Sequence, residues 1–199
     1  IGAESVAAAQ IALNISSMTY MIPMSLSFGI TIRVGHALGE QKLETASHRS
    51  LVGIITAALL SLISVGFFLL FPEWIIRLYT TDPVVSATAA TLLMFTAMYQ
   101  FSDALQTSAN GALRGYKDTK IPMILAILAY WGLALPLGML LGITDEIVPA
   151  MGEEGFWIGI VTGLTTAAIA MLIRLTLVIK KYNQTAEVNT ASQPELAIQ

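Results

Sequence analysis

Thr91-Leu-Leu-Met-Phe-Thr-Ala-Met-Tyr-Gln-Phe-Ser-Asp103-Ala-Leu-Gln-Thr-Ser-Ala-Asn110-Gly-Ala-Leu113 is an apolar stretch of helix length with a single acid near its middle. A membrane-spanning helix needs about 20 mainly apolar residues. A carboxylate in the hydrocarbon core is costly unless it is protonated, ion-bound or turned towards water. At 3.6 residues per turn, Thr96, Tyr99, Asp103, Gln106 or Thr107, and Asn110 share one side, while Leu92, Leu93, Phe95, Met98, Phe101 and Leu105 cover much of the rest. A polar stripe on an apolar rod belongs in a bundle or against a cavity, and the stripe reads as an ion or proton site. A structural reading, in which Asp103 pins helix packing and binds nothing, stays open beside it.

Composition agrees with a membrane setting. The 199 residues are 55% hydrophobic and 12% charged, with a mean hydropathy of +0.72, which is outside the range of soluble domains. The net charge of -3 includes no basic field for nucleic acid. The absence of cysteine excludes disulfides and thiolate metal sites. His36 and His48 lie in a hydrophilic connection with no partner at ligand spacing, so they are expected to be solvated, and no cofactor is expected. The chain opens Ile-Gly-Ala-Glu, with no signal-peptide pattern. An intramembrane aspartyl protease would need two carboxylates sharing a proton, and no second acid falls in any span, so an enzyme is not expected.

Working outward, five spans qualify, at about 6–34, 51–71, 85–113, 121–141 and 156–179. The expected fold class is all-α, a polytopic membrane helix bundle over residues 1–182, followed by a polar, disordered cytoplasmic tail at 183–199. The first span contains Pro23, which can bend it. Its outer half carries Gln10, Asn14 and Ser17, a second polar stripe that serves either as glue between helices or as a cavity lining. Residues 33–49 are charged and broken by glycine, and are expected in water. Residues 72–79 read as a short amphipathic turn on the membrane surface, with Trp74 and Tyr79 at interfacial positions. Pro122 falls harmlessly in the first turn of the fourth span, whereas Pro136, with Gly132 and Gly138, suggests a bend or a close helix contact.

Lys and Arg cluster at 33–49, 114–120 and 174–181, and the connection at 144–154 has none. The positive-inside rule puts those clusters in the cytoplasm, hence the N-terminus outside and the C-terminus inside. An odd number of spans, an extracytoplasmic start and no initiator Met together suggest a fragment that lacks at least one preceding helix.

Several motifs in order carry a family resemblance. They are Ala8-Ala9-Gln10-Ile-Ala-Leu-Asn14, Met21-Ile-Pro-Met-Ser25, Arg33-Val-Gly-His-Ala-Leu-Gly-Glu40, Tyr99-Gln-Phe-Ser-Asp103, Leu113-Arg-Gly-Tyr-Lys-Asp118, Tyr130-Trp131, Leu135-Pro-Leu-Gly138 and Gly155-Phe-Trp-Ile-Gly159. Together they resemble the NorM-type branch of the multidrug and toxic compound extrusion (MATE) family over nearly all of the chain up to Lys181. The resemblance implies a transporter of the bacterial inner membrane with twelve helices in two lobes, of which these are the last five. It also implies export of cationic, amphipathic drugs in exchange for Na+ or H+.

In that family the acid of the tenth helix belongs to the cation site. Its match here is Asp103, which would hold Na+ if coupling is to sodium, with Tyr99 one turn earlier. Gln10 and Asn14 match polar positions of the eighth helix that face the cavity; Gln106 and Asn110 are the further candidates for lining it. The family's partner glutamate would lie before Ile1, so the missing N-terminal lobe and the first helix of the C-terminal lobe are expected partners, together with membrane lipid.

A carboxylate neutralised by either a proton or Na+, and not by both, is a physical basis for antiport. A flippase for lipid-linked anionic precursors in the same superfamily, or a packing subunit that transports nothing, are the alternatives. The flippase would call for basic residues in the cavity, and the mid-span positions hold none.

Overall fold

The computed structural model describes residues 2–144, 149 and 151–192, and the described part is helical apart from its turns. Among the described residues five helical segments are long and apolar enough to cross a membrane, in the order the sequence predicts. The first, α1, is Ala3–Gly39 and the second, α2, is Leu43–Leu70. Between them only a tight turn remains, with Gln41 in the left-handed region at φ 59°. The connection expected at 33–49 is therefore mostly helix. Charge ends a membrane span, but it does not end a helix when no proline follows. Within the turn, Glu40 bonds Lys42 Nζ at 3.0 Å and His36 Nδ1 at 3.2 Å. The Lys42 ammonium holds the Glu40 carboxyl below the usual carboxylate range.

The chain then folds over at Phe71 into α3, Pro72–Arg77. This short helix buries Ile75 and Ile76 and leaves Trp74 exposed, the amphipathic form expected from its sequence. The long central helix α4, Pro83–Gly115, starts where the Asp82 carboxylate accepts the amides of Val84 and Val85 at 2.8 and 3.1 Å. That cap, with Pro83 in the first turn, satisfies donors a helix start otherwise leaves open. Helix α4 packs on α1, α2 and the last helix. Its closest approach to α1 depends on a missing side chain: a Cβ at Gly111 would meet Ser27 O and Oγ at 2.5 Å. Of the apolar residues that cover the rest of α4, Leu92 and Leu93 are buried in the bundle, whereas Met98 is 64% exposed.

The fourth span is not one helix. It consists of α5 (Lys120–Ile127), a π-helical segment (Leu128–Ala134) and α6 (Leu135–Ile143). Pro136 has no N–H to give Gly132 O, and its ring crowds that carbonyl, so the ladder slips by a residue in the preceding turns. The disturbance expected at Pro136 thus falls N-terminal to it. Helix α7, Glu153–Ser192, lies close against the end of the π-helical segment and α6; a Cβ at Gly159 would stand 2.5 Å from Ala134 O and 2.8 Å from Gly138 N. Small residues at this contact let the two backbones touch, which is how helices associate in lipid.

Helix α7 also runs past the boundary expected at 182. Neither Gly nor Pro interrupts residues 180–192, so residues 183–192 of the expected tail are helical. Residues 193–199, the rest of that tail, and most of the acidic connection at 144–154 lie outside the described residues.

Two apolar clusters hold the bundle together. One gathers Ala8, Ala12 and Ile15 of α1 with α3, the first half of α4 and Trp157. The other gathers Ile30, Val34 and Ala37 with the start of α2, the second half of α4 and residues 171–178 of α7. Between the two, Ser16, Tyr99, Ser102, Asp103 and Thr165 bring hydroxyls and a carboxylate together in a polar band beside the buried Ala104 and Ala167.

Candidate cation site

Asp103 stands in this polar band, roughly midway along α4 and partly buried. Among the described residues no hydrogen bond or ion pair reaches its carboxylate. The groups around it are mostly engaged with one another. One turn earlier, the Tyr99 hydroxyl donates to Ser16 Oγ at 2.7 Å, and its ring stacks on Trp157 with centroids 6.0 Å apart. Helix α1 thus contributes a hydroxyl to the band, and α7 contributes an aromatic wall.

On the other side, the Gln106 amide surrounds the Tyr130 hydroxyl, which donates to Oε1 at 2.7 Å and also meets Nε2. Tyr130 belongs to the π-helical segment, so the widened turn is what carries this hydroxyl. Nearby, Ser102 Oγ and Thr165 Oγ1 are 3.0 Å apart. Gln100 is 1% exposed and its Oε1 has no hydrogen-bond partner. The band therefore offers one carboxylate and several neutral oxygens, a hard donor set suited to a proton or an alkali cation. Among the described residues no three His, Asp or Glu side chains come together as a metal site.

The residues predicted from sequence divide into two groups. Tyr99, Asp103 and Gln106 come together in the band. Asn110 lies two turns beyond Asp103 on the same side and is partly buried. Thr96 is fully buried, but its hydroxyl returns to Leu92 O at 3.0 Å. Gln10 and Asn14 sit elsewhere, in a cleft of about 390 Å³ bounded by Ile11, Tyr79 and Val85, where Asn14 Oδ1 accepts from Tyr79 at 3.1 Å. Residues two apart on a helix do not face the same way, so Ser16 meets Tyr99 while Asn14 and the exposed Gln10 turn aside.

Ser16, Tyr130 and Thr165 were not singled out as site residues. Ser16 is hidden within Ser16-Ser17, and the second of those belongs to the exposed stripe. Tyr130 stands in a quoted motif, but only the π-helical turn shows where it reaches.

The MatE family model matches residues 1–140. The chain is 48% identical over 170 residues to multidrug resistance protein PmpM of Pseudomonas aeruginosa, covering 85% of this chain and 36% of that protein. It is 47% identical over 175 residues to multidrug resistance protein MdtK of Yersinia enterocolitica, covering 88% of this chain and 38% of the relative. The chain thus spans little more than a third of the relatives it matches. Among solved structures, it superposes on an outward-facing multidrug resistance MATE family transporter with a TM-score of 0.81 at 21% identity, over 92% of this chain and 40% of that one. The eukaryotic MATE transporter AtDTX14 matches with a TM-score of 0.76, also at 21% identity, over 92% of this chain and 41% of that one.

Proposed function

This chain belongs to the MatE family, and we propose that it forms the last five helices of a cation-coupled multidrug efflux antiporter. Asp103 is the group at which the coupling ion, Na+ or H+, is exchanged. The observation that carries this reading is a lone carboxylate held between two apolar clusters among hydroxyls and amides that bond one another and leave it unpartnered. An unpaired charge in such a place is unfavourable, and a proton or Na+ relieves it. A cationic, amphipathic drug drawn to the same charge competes with the ion. Because both ligands act on one equilibrium between conformations, each lowers the other's affinity by the same factor. Tyr99 and Tyr130 stand where phenolic oxygens can join the ion's shell, and Gln106 sets the position of Tyr130.

The bundle's polarity supports an orientation in a bacterial inner membrane. Arg49 donates to Arg33 O, Ser47 Oγ lies 3.4 Å from Tyr116 Oη, and Arg174 pairs with Asp118. The three basic clusters therefore meet at one end, which we assign to the cytoplasm. No Lys or Arg lines the Asp103 band among the described residues, and this weighs against a flippase for anionic lipid-linked precursors. Dye efflux from cells expressing the full transporter tests the function. Asp103→Asn should abolish efflux while wild-type amounts of protein reach the membrane; efflux at the wild-type rate, with wild-type ion dependence, would remove Asp103 from the mechanism.

A further inference from the structure

At the basic end of the bundle, a cleft of about 370 Å³ opens between the turn after α4 and the last part of α7. Its walls carry three cations, Lys117, Arg174 and Lys181, against one acid, Asp118. Arg174 Nε donates to Asp118 Oδ2 at 2.7 Å. Among the described residues nothing else holds the guanidinium, so its two terminal amino groups stay open. The bond orients the fork of donors without using it up.

Lys117 projects from a left-handed residue, φ 60°, in a turn tied to α7 by the Tyr182 hydroxyl, which donates to Tyr116 O at 3.0 Å. Neither Lys117 nor Lys181 forms an ion pair among the described residues, and both are exposed. On α7, Arg174, Leu177 and Lys181 follow at helical spacing along one face, and Leu177 is 54% exposed. Beside this cationic face Leu177 heads an exposed apolar row that runs back along α7 towards the hydrocarbon through Ile173 and Ile169, 55% and 54% exposed.

We propose that this cleft holds the phosphate of an anionic phospholipid of the phosphatidylglycerol type, with its acyl chains along Leu177, Ile173 and Ile169. The shared chemistry is a phosphate facing lysines and an oriented guanidinium, as in basic pockets between helices at a cytoplasmic membrane surface. A zwitterionic headgroup brings its own cation to a wall that is already positive. A soluble phosphate has no tail for the apolar strip.

The test is native mass spectrometry of the full transporter in detergent, titrated with phosphatidylglycerol. The Lys117→Gln/Lys181→Gln variant should bind this lipid roughly tenfold more weakly. Lys42→Gln, a lysine of the same end engaged with Glu40, should bind it as the wild type does. Melting temperatures of the three proteins should agree, because the substituted lysines are exposed. Equal retention by the wild type and the double variant overturns the proposal, as does equal binding of phosphatidylcholine and phosphatidylglycerol by the wild type. Displacement of the bound lipid by millimolar inorganic phosphate overturns it too, by assigning the cleft to a soluble anion.

Discussion

Asp103 has no hydrogen bond among the described residues, whereas the Tyr99 and Tyr130 hydroxyls are each bonded, to Ser16 and to Gln106. Removing those hydroxyls separates support from ion contact. Tyr99→Phe loses the 2.7 Å bond to Ser16 and should cost about 1 kcal/mol of stability. If Tyr99 also contacts the ion, the ion concentration giving half-maximal efflux should rise a few-fold; an unchanged Na+ and H+ dependence would confine Tyr99 to packing. Tyr130→Phe leaves the Gln106 amide, 7% exposed, without its partner. That variant should lose about 1–3 kcal/mol, read as a lower melting temperature.

Helical spacing alone was enough to group Tyr99 and Asp103 with Gln106 or Thr107, because they lie on one side of a regular helix, and the bond to Tyr130 distinguishes Gln106. It was not enough for Ser16 and Tyr130, whose approach depends on how α1 and the π-helical segment pack on α4. For Gln10 and Asn14, the polar character was legible and the direction they face was not.

The elements depart from a plain bundle where backbone chemistry forces them to. Pro136 is visible in the sequence, but its consequence is a widened turn over Leu128–Ala134, before the proline. Restoring an N–H with Pro136→Ala should let the ladder close as α-helix, draw Tyr130 away from Gln106 and lower efflux, while the relief of about 3 kcal/mol of proline strain offsets the lost Gln106 bond and keeps the melting temperature from falling. The check is a thermal melt beside a transport assay, and undiminished efflux would show that the widened turn is dispensable. At the α6–α7 contact, Gly159→Leu puts a side chain where Ala134 O lies 2.5 Å from a Cβ. Overpacking of this kind costs about 1–3 kcal/mol or more, so the variant should melt earlier or fail to accumulate. Span number and order were legible because a run of apolar residues answers directly to membrane thickness. Helix ends were less so: residues 35–39 and 183–192 continue as helix in polar surroundings, where hydropathy carries no signal.

For the molecule as a whole, the decisive feature is an arrangement that no single stretch displays. Two apolar clusters enclose a polar band from α1, α4, α7 and the π-helical segment, and among the described residues the only acid in the band is Asp103. The stripe on α4 could be read from its sequence, but the clusters above and below it involve residues far apart in the chain. The most direct test is ion movement driven by drug across proteoliposomes that hold the full transporter. An outward drug gradient should drive Na+ or H+ the opposite way in the wild type and drive none in Asp103→Asn incorporated to the same level. Ion flux of wild-type size and direction in that variant would contradict the assignment of Asp103 as the exchange site.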